Sequence, residues 1–342
     1  MQLTQRKQKI LSAVAENYLM TGEPVGSKFL QTETDLNVSS ATIRNELADL
    51  SAMGYLEQPH TSAGRIPTLM GLRYYIDNLM EIKPINPRVA EYITRSLESH
   101  FEAPESILSE ASKVVATVTG LTAITTTPPS EDVRVHRLHF VQTGRHTGMT
   151  VLVTSSGMIK TQLFRTEFVL TPEMLRVFDA ALNECFAGMP LENITIPFIQ
   201  TTAASFGNLS LFMPSVLVSV SEAAQQATKT QMTVSGMTNL MFSGGEYMTD
   251  VRAAVSFLND RERLSELLHT KVSENRIFIG EESGEPELKN CSLVVSRYDI
   301  AGRTAGAVAA VGIGRIDFAA VMSVVKFTAE KAGNLINELV EV

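Results

Sequence analysis

The chain has 342 residues and a formal net charge of −8, which is unusual for a protein that binds nucleic acid. That length suffices for two or three domains with buried cores. Its two cysteines, Cys185 and Cys291, lie far apart and form no C-x-x-C pair, which argues against a disulfide framework or a cysteine-based metal site. Because no apolar run reaches ~18 residues and no apolar signal segment follows the N-terminus, we expect a soluble cytoplasmic protein without membrane contact.

The excess of negative charge lies outside the first 76 residues. Residues 1–76 carry seven basic and seven acidic side chains, so the whole excess belongs to the remainder. A neutral N-terminal segment can still bind DNA if its cations share one face, because affinity depends on local phosphate contacts. The alternative is that the acidic residues only keep the remainder soluble.

The N-terminal segment is predicted to begin with three helices. Thr4 precedes a run whose apolar residues recur at helical spacing, and Gly22 ends that run. A short helix is expected to begin near Ser27. The third helix is capped by Ser39 or Ser40, whose hydroxyl can accept from a free backbone N–H group.

The third helix separates an apolar face from a polar one. Ile43, Leu47 and Leu50 fall on one stripe. The opposite face carries small and polar residues, namely Ala41, Arg44, Asn45 and Ala48. Small residues let a helix enter the major groove, arginine suits guanine or phosphate, and asparagine pairs with adenine through two hydrogen bonds. This pattern predicts a helix that reads DNA bases.

The segment that follows this helix predicts a β-hairpin of the wing type. Residues 55–56 form a first strand, and residues 65–67 form the returning strand. The turn between them contains His60, Ser62 and Gly64. We expect Arg65, near the hairpin tip, to contact phosphate or the minor groove. Winged helices also bind proteins in some cases, so that alternative stays open.

Four runs in this segment resemble the N-terminal domain of the HrcA family, the bacterial heat-inducible transcription repressors. They read PVGSKFL (24–30), VSSATIRNELADL (38–50), PHTSAGRIPT (59–68) and GLRYYIDNLM (71–80). The resemblance implies a winged helix-turn-helix DNA-binding domain over residues 1–80. We expect the DNA contacts to come from Lys28, Ser40, Ala41, Thr42, Arg44, Asn45, His60, Ser62 and Arg65.

Beyond this segment, two prolines in four residues predict a linker over residues 81–103. The periodicities that follow predict, in order, a helix (104–120), strands (121–128, 135–143 and 149–167), a helix starting at 171, a more helical stretch (191–274), strands (276–282, 291–299 and 304–314) and a final helix (317–339). This order predicts one α+β domain interrupted by an insertion.

Further motifs extend the resemblance to the HrcA family through the rest of the chain. They read SGMTNLM (235–241), IFIGEE (277–282), CSLV (291–294) and GIGRIDF (312–318). The resemblance implies a GAF-like α+β domain over residues 104–190 and 275–342, with an inserted dimerisation domain over residues 191–274. Ile313 and Phe318 depart from the family, which usually has proline and tyrosine at these positions.

No pattern in the sequence indicates an enzyme, so we expect no catalytic residue, no metal and no cofactor. G-x-S-x-G, Walker and H-E-x-x-H motifs are absent. His136 and His139 are three apart on a predicted strand, so they point to opposite faces and cannot share a metal. Gly312-Ile313-Gly314 resembles a dinucleotide-binding turn, but Asp317 stands at the third glycine position. A tight turn between a strand and a helix is the better interpretation.

The sequence therefore predicts a homodimeric repressor that binds an inverted repeat in double-stranded DNA. The resemblance implies the operator class called CIRCE, upstream of chaperone genes. It also implies that the GroE chaperonin keeps the repressor active and that heat stress removes its activity. The alternative is a ligand-sensing GAF-domain regulator, which a polar pocket in the body would favour.

Several soft apolar residues lie in the predicted insertion, namely Met232, Met237, Met241, Phe242 and Met248. Such residues adapt to partners when they are exposed. Alternatively, they only fill the core of the insertion. The sequence leaves both interpretations open.

Overall fold

The computed structural model describes residues 3–33, 38–60, 63–127, 133–206, 213–243, 248–270, 275–300 and 302–340. Within these ranges the chain is mixed α and β. The first elements are α1 (Gln5–Thr21), α2 (Ser27–Glu33), α3 (Ser40–Ala52), β1 (Leu56–Glu57), β2 (Ile66–Pro67), α4 (Leu69–Asn78), α5 (Pro87–Glu98), α6 (Pro104–Thr119) and β3 (Thr122–Thr126).

The chain continues through a second group of elements, which are β4 (Val135–Gln142), β5 (Thr147–Thr154), β6 (Ile159–Arg165), α7 (Pro172–Phe186), α8 (Ile196–Ser205) and α9 (Pro214–Ala227). The last group comprises β7 (Met232–Ser235), α10 (Met237–Ser243), α11 (Met248–Asn259), α12 (Arg261–Thr270), β8 (Arg276–Ile279), β9 (Cys291–Ile300), β10 (Arg303–Ile313) and α13 (Phe318–Val340). Among the described helices, none has both the length and the hydrophobicity needed to cross a bilayer.

The N-terminal unit, α1 to α4 with the β1–β2 hairpin, has its own apolar core. The Thr4 hydroxyl accepts from the Lys7 N–H and caps α1, and Gly22 ends that helix with a φ of 77°. A positive φ is tolerated by glycine because it lacks a Cβ atom. These boundaries confirm the predicted start and end of the first helix, and α2 begins at the expected Ser27.

A five-stranded antiparallel sheet forms the body, with the strand order β7-β3-β10-β9-β8. Helices α5, α6 and α13 cover one face, where Val294, Val308 and Ala310 are buried. Helices α10 to α12 cover the other face, where side chains such as Val295 and Ala309 are buried. Alternate residues of a strand point to opposite faces of the sheet. Because both faces are covered by helices, the residues on each face are mainly apolar.

Strands β4 to β6 form a separate three-stranded sheet that packs with α7, α8 and α9 around another core. This core joins residues 133–227 into one unit, whereas β7 pairs with β3 and α10 to α12 pack on the body. The inserted unit therefore differs from the expected one of 191–274. The physical reason is that β4 to β6 pair only with one another, and no strand of theirs joins the body sheet.

The expected linker over residues 81–103 contains α5, a twelve-residue helix. Asn86 caps this helix by accepting from the Arg88 N–H, and Pro87 occupies its first turn. Proline suits this position because an N–H group in the first turn would have no partner within the helix, so its absence costs nothing. Ile93 and Leu97 are fully buried in the body core, so α5 belongs to the body and only the residues before it are extended.

Two arginines connect the N-terminal unit to the body. Arg73 of α4 donates from Nε to Glu282 Oε1 at 2.9 Å and from Nη2 to the Ile277 carbonyl at 2.8 Å. Arg315 donates to the Tyr18 carbonyl at 3.1 Å, and its guanidinium lies 5.4 Å from the centre of the Tyr18 ring. Apolar residues of α1 and α4 also pack on the body core.

Tyr298 in β9 is the largest fully buried side chain of the described residues, and its hydroxyl donates to the Thr126 carbonyl at 2.7 Å. Gly306 in β10 makes room for this bond, because a Cβ atom there would lie 2.4 Å from the Tyr298 hydroxyl oxygen. The hydrogen bond thus ties β9 to β3 across the central strand β10.

We expect Tyr298→Phe to lower the free energy of unfolding by about 1–3 kcal/mol, because the buried Thr126 carbonyl loses its donor. Urea denaturation of the full chain measures this loss. The control is Tyr92→Phe in α5, since Tyr92 is 46 % exposed. Equal unfolding midpoints for the two variants would contradict the assigned role of the Tyr298 hydroxyl.

Candidate nucleic-acid interface

Helix α3 presents the predicted division between a buried and an exposed face. The Ser39 hydroxyl accepts from the Thr42 N–H at 3.2 Å, so Ser39, and not Ser40, caps the helix. The predicted apolar stripe, formed by Ile43, Leu47 and Leu50, is buried in the core of the N-terminal unit. The predicted outward residues are all exposed: Ala41, Arg44, Asn45 and Ala48.

The start of α3 contacts α2 through Ser27, which the sequence patterns indicated as a helix start but not as a site residue. Its hydroxyl lies 3.1 Å from the Ser40 hydroxyl and accepts from Arg44 Nε at 3.3 Å. Arg44 is thus held at the junction of the two helices while it remains exposed. Lys28 is also exposed, and it directly follows Ser27, whose hydroxyl positions Arg44.

Two of the expected contact residues have hydroxyls that serve the local fold. Ser40 is half-buried and its hydroxyl faces Ser27. Thr42 is half-buried, and its Oγ1 lies 3.0 Å from the Ser39 hydroxyl. Among the expected contact residues of α2 and α3, those that are exposed are Lys28, Ala41, Arg44 and Asn45.

The β1–β2 hairpin pairs in register, with Leu56 opposite Pro67. A third extended segment joins it, because Val25 and Arg65 exchange two backbone hydrogen bonds of 2.9 Å. Gly64 permits this approach, since a Cβ atom there would lie 2.4 Å from the Val25 carbonyl oxygen. The sheet thus contains three short segments, two of which the sequence predicts.

Arg65 lies between the turn and β2, at the end of the β1–β2 ladder that adjoins the hairpin loop. It directly precedes β2, and its Nε donates to the Ser51 hydroxyl near the end of α3 at 3.0 Å. The pairing with Val25 holds the Arg65 backbone at this place, and the local turn pattern does not reveal that pairing. His60 is exposed in the turn and its carbonyl accepts from Ala63. Ser62 lies outside the described residues.

The acidic residues of α3 are paired with cations of α1. Lys7 Nζ lies 2.7 Å from Glu46 and 2.8 Å from Asp49, and Arg6 contacts Glu46 at 3.4 Å. Hydrogen bonds to Asp49 and then to Glu46 raise the pKa of Lys7. These contacts offset negative charge that would otherwise repel phosphate. They join residues about forty positions apart, so periodicity within either helix could not reveal them.

The residues considered for other chemistry lie apart from this interface. Within the described ranges, no three His, Cys, Asp or Glu side chains are grouped as potential metal ligands. Gly314 has a φ of 69° and its N–H donates to the Asn290 carbonyl, which makes a tight turn between β10 and α13. His139 faces Asp179 at 3.5 Å on the inserted unit.

Comparison with known proteins places the chain in a family. Residues 105–322 match the family model described as HrcA protein C terminal domain. A heat-inducible transcription repressor HrcA of Clostridium botulinum (strain Eklund 17B / Type B) is 32 % identical over 345 aligned residues, covering 98 % of this chain and 99 % of that protein. The HrcA of Symbiobacterium thermophilum is 31 % identical, covering 95 % of this chain and 96 % of that protein.

A crystal structure described as that of a hypothetical protein has a similar fold. It is 21 % identical to this chain, with a TM-score of 0.62, and the match covers 99 % of this chain and 100 % of the other. At this identity the likeness concerns the fold alone. The sequence matches to the family model and to full-length relatives decide the assignment: the chain belongs to the HrcA family of heat-inducible transcription repressors.

Proposed function

We propose that the N-terminal unit is a winged helix that binds double-stranded DNA, with α3 in the major groove. The observation that carries the proposal is the exposure of Ala41, Arg44 and Asn45 on the face opposite the buried stripe of α3. Alanine permits close approach of the helix, and the two polar side chains suit base edges. The β1–β2 hairpin lies next to this helix in the same core.

The second part of the proposal concerns the operator. Family membership supports an inverted repeat of the CIRCE type, read by a homodimer in the cytoplasm. Two-fold symmetry of the protein matches two-fold symmetry of the operator, because each copy then presents the same helix to one half-site. We assign dimerisation to the inserted unit, now bounded by residues 133–227, and a GAF-like fold to the five-stranded sheet with its helices.

The third part concerns heat stress. We propose that the repressor loses its DNA-competent fold on heating and that the GroE chaperonin maintains the active form. The exposed residues Met241, Phe242 and Met248 support this proposal, because exposed apolar side chains are the surface that a chaperonin recognises. Phe242 is 88 % exposed. Met232 and Met237 instead pack in or against the body core, so only part of the expected apolar surface is present.

The alternative of a ligand-sensing GAF-domain regulator receives less support from the body sheet. Apolar side chains and covering helices occupy both faces of this sheet. A metabolite bound on either face would have to displace packed helices. We therefore keep transcriptional repression as the proposed function, without an enzymatic activity or a cofactor.

Base reading predicts a loss that depends on the DNA sequence. Asn45→Ala should weaken binding to the operator duplex by about 1–3 kcal/mol, because two hydrogen bonds to one base are lost. Binding to a scrambled duplex should change little. Titration of both duplexes measures the difference, with Asn259→Ala on the exposed surface of α11 as the control. Equal losses on the two duplexes would reject base reading by Asn45.

Phosphate contacts predict a change in salt dependence. Lys28→Met should weaken binding to all duplexes and reduce the slope of log affinity against log salt by about one unit. Arg65→Met should do the same if the hairpin contacts DNA. Lys113→Met in α6 is the matched control, because Lys113 is an exposed lysine of the body. An unchanged slope for Lys28→Met would remove Lys28 from the interface.

The heat-stress proposal predicts a protective effect of purified GroE chaperonin. Mild heating of the full chain should abolish operator binding, and chaperonin present during heating should preserve it. Phe242→Ser should reduce this protection, because the variant lacks an exposed aromatic ring. Ile196→Ser, at a position 63 % exposed on the inserted unit, is the control. If wild-type operator affinity persists through heating with no effect of chaperonin, the mechanism is wrong.

A further inference from the structure

A cavity of about 690 Å³ lies between the N-terminal unit and the start of α13. We call it the α1–α13 cavity. Glu16 and Leu19 of α1 line one side, Tyr75 and Leu79 line another, and Asp317 closes the side next to α13. Small-molecule sites in proteins have volumes of roughly 300–1,000 Å³. The cavity therefore has the size of a ligand site, and it lies away from the sheet faces and from the DNA-reading face of α3.

One polar side chain that lines this cavity, Tyr75, forms no side-chain hydrogen bond to another described residue. Tyr75 is 4 % exposed, and its hydroxyl makes no hydrogen bond to any described residue. Buried tyrosine hydroxyls usually have a hydrogen-bond partner. Burial, and then the charges of Glu16 and Asp317, raise the pKa of Tyr75, so the phenol stays protonated. Because Tyr75 lines the cavity and its hydroxyl oxygen is not fully enclosed, the hydroxyl can bond to a molecule held there.

The charge of the lining favours a cation. Glu16, Glu81 and Asp317 are acidic, and Lys83 is the basic residue of the lining. Glu16 Oε1 accepts from the Ser12 hydroxyl at 2.8 Å, and Asp317 Oδ1 accepts from the Ala320 N–H at 3.0 Å. Each of these carboxylates is thus held by a hydrogen bond from its own segment. An anion in the cavity would meet an excess of negative charge, whereas a cation would be attracted.

The remaining wall is apolar. Leu19, Val118 and Phe318 contribute hydrocarbon surface from three different helices. An apolar wall with a few convergent polar groups is the usual composition of a small-molecule site. We propose that the α1–α13 cavity binds a small organic cation, with its ammonium group near Glu16, Asp317 and the Tyr75 hydroxyl and its hydrocarbon part on the apolar wall.

Such a ligand would contact both parts of the chain at once. Glu16, Leu19 and Tyr75 belong to α1 and α4 of the N-terminal unit, whereas Val118, Asp317 and Phe318 belong to the body. Binding itself does not depend on the proposed contacts with DNA. The site is consequently testable in the absence of any duplex.

The experiment compares three probes that share a phenyl ring and differ in charge: phenethylamine, 2-phenylethanol and 3-phenylpropionate. Each is titrated into the full chain at millimolar concentration, and binding is measured by ligand-observed NMR. We expect phenethylamine to bind about tenfold more tightly than the alcohol, since a hydrogen bond to a charged group is added. The propionate should bind most weakly. Equal affinities for the three probes, or binding by none of them, would overturn the proposal.

Variants locate the binding within the molecule. Tyr75→Phe and Asp317→Asn should each weaken phenethylamine several-fold, and Glu16→Gln, at an exposed position of α1, should do so without any change in the core. Glu184→Gln on the exposed surface of α7 should leave the affinity unchanged. Circular dichroism verifies the fold of each variant. Wild-type affinity in the folded Glu16→Gln and Asp317→Asn variants would show that the cavity does not recognise the cation.

Discussion

Strand β10 is buried on both faces, and the arrangement of the body follows from that constraint. Residues 307–311 of this strand are at most 1 % exposed. A strand without a solvent face needs a layer of helices on each side. Helices α6 and α13 supply one layer, and α10 to α12 supply the other. Small residues allow these layers to approach closely: a Cβ atom at Gly333 of α13 would lie 2.9 Å from the Asp299 carbonyl oxygen.

The partners of β10 explain how the chain accommodates its inserted unit. Ala307 pairs with Thr126 of β3, which lies 181 positions earlier in the sequence. Strand β7 then pairs with the free side of β3 and returns the chain to the sheet after α9. The inserted unit therefore begins after β3 and ends before β7. Both of its ends lie at the same end of the β3–β7 pair, where Thr126 is opposite Met232. Its own core allows it to fold around β4 to β6 without changing the order of the body sheet.

The sequence predicts elements well where local periodicity is strong. Helices α3 and α6 and the strand β8 lie within the expected segments, and α13, β9 and β10 extend one residue beyond theirs. The pairing of strands could not be predicted in this way, because the alternation of apolar residues indicates a strand but not which strand lies next to it. β4 to β6 consequently looked like a continuation of the body sheet. Met232 looked like part of a helical insertion, yet it belongs to β7 and pairs with Thr126.

The same distinction applies to the interface. The exposure of Asn45 follows from its position relative to Ile43 and Leu47 on a single helix, so the sequence contains all the information needed. The place of Arg65 depends on Val25, which lies on another segment, and the neutralisation of Glu46 depends on Lys7. These contacts join residues about forty positions apart. Spacing within one element predicts which side chains face outward, but the electrostatics of the face depends on the packing of three helices.

The connections between the N-terminal unit and the body give a structural meaning to two body motifs. Glu282 ends the run IFIGEE and binds Arg73, and Arg315 within GIGRIDF binds the Tyr18 carbonyl. Gly22 lies beside it, and a Cβ atom there would lie 1.9 Å from Arg315 Nη1, so a side chain at this position would displace the guanidinium. Arg73 also binds the Ile277 carbonyl of the edge strand β8. A displacement of β8 would therefore change the position of α4. Helix α4 shares its core with α3, so the position of the exposed face of α3 relative to the body depends on that edge strand.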